Sequence, residues 1–159
     1  MKMSDEKQIN VALDDIMPLM KEQLSVGGSV TFGPKGTSML PLIRQNIDSV
    51  VISPVSGTLK KYDVPLYQRD DGHYVLHRIV GVKGESYVMC GDNQFSRERG
   101  ITDKQIIGVM TAIIKPEGKI SVTDKGYVKY ARRRVLRQSV YGFVYKVRRR
   151  IARILKNKR

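Results

Sequence analysis

The chain has 159 residues, 41% of them hydrophobic, which suits one domain with a real core and an appendage. Its net charge of +14 points toward nucleic acid or an anionic membrane, yet residues 126–159 hold thirteen Lys or Arg and no acid, while residues 1–125 hold 16 bases against 15 acids. One Cys excludes an internal disulfide or structural zinc site, and Cys90, between Met89 and Gly91, reads as a buried thiol.

Residues 1–28 form an N-terminal helical segment, with Ile9, Leu13, Ile16, Met17, Met20 and Leu24 at helical intervals. Pro18 interrupts the pattern, so the helix is expected to start at Asp14 or Asp15 as cap and to stop before Gly27-Gly28. Residues 29–125 are expected to be a β domain. Short β-type runs cover Ser29–Phe32, Ser49–Ser53, Val64–Arg69, Tyr74–Val82, Ser86–Cys90, Ile106–Ile114 and Ile120–Val122, with turn signals such as Asp70-Asp71-Gly72 between them. Runs this close leave no room for crossover helices, so the expected fold class is mainly β, with an antiparallel folded-sheet or barrel-like body.

Residues 126–159 return to helical spacing as a basic amphipathic tail. Val140, Val144, Val147, Ile151 and Ile154 or Leu155 form a stripe, and Arg148, Arg149, Arg150 and Arg153 fall on the remaining arc. Ser139 and Gly142 are expected to separate this helix from an earlier one over Val128–Arg137. The longest stretch without charge, Gln23 to Pro34, is well short of the roughly 18–20 residues of a membrane span, and no secretory signal opens the chain. A cytoplasmic location is therefore expected, with peripheral membrane attachment through residues 127–159.

Three segments carry chemistry. In Gly33-Pro34-Lys35-Gly36-Thr37-Ser38-Met39-Leu40-Pro41, two glycines stand close before a serine and permit a tight turn presenting a hydroxyl and a backbone N–H to one point. In Tyr74-Val75-Leu76-His77-Arg78-Ile79-Val80, strand alternation puts His77 with Val75 and Ile79, where desolvation keeps a neutral base available. His73, beside Gly72, reads as a solvated turn residue. The third segment is the turn Gly91-Asp92-Asn93, followed by Arg97-Glu98-Arg99-Gly100.

Together and in this order, the segments resemble the signal peptidase I family of serine endopeptidases and its relatives, the LexA-type self-cleaving repressors. Ser38-Met39-Leu40-Pro41 is similar to the family's Ser-Met-x-Pro, His77-Arg78 to the base-bearing strand of its His-type members, and Gly91-Asp92-Asn93 to its Gly-Asp-Asn block. The resemblance covers roughly Val30 to Met110 and does not extend to an N-terminal transmembrane anchor. It implies Ser38 as nucleophile, His77 as general base, and Met39 and Pro41 at the substrate. Gly36, Gly91 and Asn93 would shape the turns, and no metal or other cofactor is implied. Glu98 stands where the His-type enzymes carry the Asp that orients the base, so either Glu98 or Asp92 is expected to support His77. Gly36 stands where signal peptidases often carry an oxyanion-hole Ser, which leaves the Ser38 backbone N–H, with the Thr37 hydroxyl beside it.

The expected function is a serine endopeptidase acting on a leader or signal-like peptide or preprotein. The alternative is an inactive peptidase-like module held on an anionic membrane or a partner by its basic helix. Nucleic acid is the weaker partner, since no helix-turn-helix precedes the body and no RNA-binding motif marks the tail.

Overall fold

The computed structural model describes residues 13–156, so Ile9 lies outside the described residues. Helix α1 (Leu13–Ser25) turns Met17, Met20 and Leu24 into the core. It includes Leu13, upstream of the expected caps, and carries Pro18 in its interior. The apolar face it buries offsets the hydrogen bond that Pro removes.

Nine strands follow among the described residues: β1 (Val30–Phe32), β2 (Ser49–Ser53), β3 (Pro65–Gln68), β4 (Tyr74–Leu76), β5 (Arg78–Lys83), β6 (Ser86–Cys90), β7 (Glu98–Thr102), β8 (Ile106–Lys115) and β9 (Gly118–Ser121). All pairings are antiparallel. One sheet runs β1-β2-β8-β3-β4, and the ten-residue β8 is its spine, with β2 along one edge and β3 then β9 along the other. The second sheet is β5-β6-β7. The fold is thus mainly β with a helix at each end, and its sheets are folded without closing into a barrel.

The expected run Tyr74–Val82 splits at His77. Leu76 ends the pairing with β3 opposite Leu66, and Arg78 begins the pairing with β6 opposite Cys90. His77 is therefore the residue through which the chain leaves one sheet for the other, and β4 and β5 do not form the single alternating strand expected from the sequence. Strand β7 was not expected, because its one buried residue, Ile101, gives Glu-Arg-Gly-Ile-Thr no apolar alternation.

Helix α2 (Lys125–Lys156) is continuous, so Ser139 and Gly142 do not divide it as expected. The Ser139 hydroxyl turns back onto the Val135 carbonyl at 2.9 Å, and an interior Gly costs only about 1 kcal/mol against Ala. Tyr127, Ala131, Val135 and Gln138 are buried and hold its first half on the body, while Leu136, Val140 and Phe143 are 65%, 52% and 70% exposed. The backbone of Arg148, Arg149, Arg150 and Arg153 is helical, and the surroundings of their side chains lie outside the described residues. No helix among the described residues is long and apolar enough to cross a membrane.

Candidate active site

Ser38 sits in a turn-rich loop between β1 and β2. Gly36 takes a φ of 97°, a conformation that side chains resist, and its N–H donates to the Gln45 side-chain oxygen at 2.9 Å. The far end of the loop is anchored by buried Asp48, which accepts from the Arg44 backbone N–H at 2.8 Å and pairs with Arg44 and Lys115 at 2.8 and 2.7 Å. The Arg44 hydrogen bonds, reinforced by Lys115, hold the Asp48 carboxyl well below the usual carboxylate range.

The turn after β6 backs the serine. The Asn93 N–H donates to the Ser38 carbonyl at 2.7 Å. A Cβ on Gly91 would lie 2.7 Å from that carbonyl oxygen and 3.0 Å from the Ser38 Cβ, so this approach requires glycine. Helix α2 grips the same turn: Gln138 Nε2 donates to the carbonyls of Gly91 and Gln94 at 2.8 and 2.9 Å, and Arg134 Nε donates to the carbonyl of Asp92.

Ser38 and His77 line one cavity of about 720 Å³, together with Lys35, Met39, Arg69 and Gln94. His77 is 5% exposed. Burial, helped by the neighbouring Arg69 charge, pushes its pKa down to about 4 against the smaller upward pull of Glu98 and Asp92, so the imidazole is neutral at pH 7. Met39 lines the cavity and is also buried in the core, whereas Pro41 is exposed and is not part of the lining. Thr37 is exposed and likewise lies outside the lining. The Ser38 backbone N–H makes no hydrogen bond among the described residues. His73 is exposed at the hairpin tip and also borders the cavity.

The two expected carboxylates divide in an unexpected way. Asp92 makes no hydrogen bond to His77. It is fully buried, receives both arms of the Arg78 guanidinium at 2.8 Å, and accepts from the Tyr130 hydroxyl at 3.1 Å. Arg78 is as buried and also donates to the Tyr62 carbonyl and the Tyr127 hydroxyl. A charge in that position needs a bidentate partner, which commits Asp92 to Arg78.

Glu98 does not hydrogen-bond His77 directly either. The Tyr67 hydroxyl stands between them, 2.7 Å from Glu98 Oε2 and 3.4 Å from His77 Nδ1. Arg69 clasps Glu98 through Nε and Nη2 at 2.7–3.0 Å. Burial works against the Glu98 charge, but the bonds from Arg69 and Tyr67 outweigh it and hold the carboxyl below its ordinary range. Tyr67 and Arg69 carried no sequence signal beyond strand spacing, because their partner lies on the unanticipated β7.

Cys90 is buried and free, and burial raises its thiol pKa. Among the described residues, no group of three or more His, Cys, Asp or Glu could hold a metal ion. Comparison with protein-family models, curated proteins and solved structures finds no match. The resemblance to signal peptidases therefore rests on the sequence motifs of this chain alone.

Proposed function

We propose that the chain is a serine endopeptidase resembling signal peptidase I, cleaving a leader or signal-like peptide by acyl transfer. The observation that carries this reading is a partly exposed Ser38 sharing one cavity with a buried, neutral His77. In the proposed mechanism Ser38 Oγ attacks the scissile carbonyl while His77 takes its proton. The Ser38 N–H donates to the developing oxyanion. His77 then protonates the leaving amine, and water activated by the same imidazole hydrolyses the acyl-enzyme and frees Ser38. The resemblance implies an extended peptide along a strand edge, with small residues before the cut. A serine-directed acylating probe and a library of small-residue peptides test the assignment. Ser38→Ala is expected to abolish both labelling and cleavage, and undiminished labelling would remove Ser38 as the nucleophile.

A second reading concerns where the protein works. Exposed Leu136, Val140 and Phe143 share the outer face of α2 with exposed Lys129, Arg132 and Arg133. Phe95 and Tyr141, both exposed, pack against each other with ring centroids 5.6 Å apart. Apolar side chains interleaved with cations suit an anionic membrane interface, where each Lys or Arg contributes about 1 kcal/mol. We therefore assign the tail to attachment on such a surface, compatible with an active or an inactive peptidase body. Flotation with anionic vesicles tests this, and the choice of variant follows from the packing of α2.

A further inference from the structure

We propose that Tyr67 is a positioning residue that couples Glu98 to His77, its hydroxyl donating to the Glu98 carboxylate and accepting from His77 Nδ1–H, so that Nε2 is left as the basic nitrogen. The catalytic consequence rests on the peptidase reading; the hydrogen-bond assignment does not.

Proton counting fixes the direction. Glu98 is clasped by the Arg69 guanidinium at 2.7–3.0 Å and is ionised, so it can only accept. The Tyr67 O–H, 2.7 Å from Glu98 Oε2, must therefore point at Glu98. Only hydroxyl lone pairs then face His77 Nδ1, 3.4 Å away, so a bond there requires the proton on Nδ1. A neutral imidazole carries one N–H, and Nε2 is consequently bare.

The parts are held firmly. Tyr67 is 0% exposed and packs in a cluster with Ile79, Tyr87 and Met89, while its neighbour Arg69 aligns the carboxylate. The arrangement also accounts for a Glu where the resemblance expects an Asp, since Glu98 orients the ring through an intervening hydroxyl. A 3.4 Å bond is long, as hydrogen bonds to a catalytic base often are before substrate binds.

Nitrogen-15 spectra of the full chain labelled at its two histidines, taken near neutral pH, read the tautomers directly, and His73 at the exposed hairpin serves as internal reference. The wild type is expected to show His77 in the Nδ1–H form. Tyr67→Phe should shift it toward Nε2–H, leave His73 unchanged, and lower kcat for peptide cleavage by about ten- to a hundredfold with little change in KM. Glu98→Ala frees the Tyr67 hydroxyl to donate to Nδ1 and should drive His77 the same way, which gives a second variant if the first folds poorly. An Nε2–H wild type, or a tautomer indifferent to both substitutions, overturns the proposal. If the tautomer moves as expected while Ser38 takes no acyl probe in any of the proteins, the hydrogen-bond assignment stands and the peptidase reading falls.

Discussion

His77 lies between the last residue paired in one sheet and the first paired in the other, and it is buried there. Burial sets its proton affinity, because an imidazolium there gives up hydration that the nearby carboxylates only partly replace. A base with a folded pKa of about 4 stays deprotonated well below the ordinary 6.5 of histidine. We expect kcat/KM for peptide cleavage to hold level as the pH falls past 6.5 and to decline only near pH 4, measured on the free enzyme with a short substrate. An acid limb at 6.5 would mean that the titrating base is solvated, contrary to the buried site. The same displacement has a stability cost of definite sign: below pH 6.5 the unfolded chain takes a proton that the folded chain resists, so this residue's contribution falls until about pH 4 and is constant beneath it. Ser38 and His77, each singled out by a short sequence motif, line one cavity. Tyr67 was not singled out, since in sequence it is one more aromatic residue of a buried strand.

At the scale of elements, the Gly91–Gln94 turn collects contacts from three directions. Its Asp92 receives Arg78 from β5 and Tyr130 from α2, and its backbone holds Ser38 from the front and Gln138 from behind. Removing one partner of a fully buried ion pair strands the other charge. Asp92→Ala is expected to lower unfolding free energy by about 3–5 kcal/mol in urea titrations. A loss below about 1 kcal/mol would mean that Arg78 finds solvent and that the pair contributes little. The sequence reading placed most strands within a residue or two, because alternation in Ser49–Ser53 and apolar runs in Ser86–Cys90 and Ile106–Ile114 are direct signals of burial. It missed β7 and the break at His77 for one reason: edge pairing and a change of sheet are decided by backbone partners, which leave little mark on side-chain pattern. Missing β7 also hid the route from Glu98 to His77.

For the whole molecule, the division of charge at Gly126 is not a division of structure. Tyr127 and Ala131 belong to the same core cluster as Met17, Val50 and Met110, so the basic helix begins inside the body and leaves it only past its first turns. A vesicle assay should therefore alter the outer face and spare the inner one. Replacing Leu136, Val140 and Phe143 together by Glu is expected to abolish flotation with anionic vesicles while leaving Ser38 labelling in solution intact; flotation equal to wild type would remove the membrane assignment. Cutting the chain at Gly126, the obvious alternative, would strip Arg134 and Gln138 from the turn whose Asn93 N–H holds the Ser38 carbonyl. From the outer face of α2 to the nucleophile the path is one helix width, one amide side chain and one peptide unit. Under the proposed membrane attachment, a load applied to the helix would be delivered to the loop that carries Ser38, and anchorage and aim would be mechanically one part.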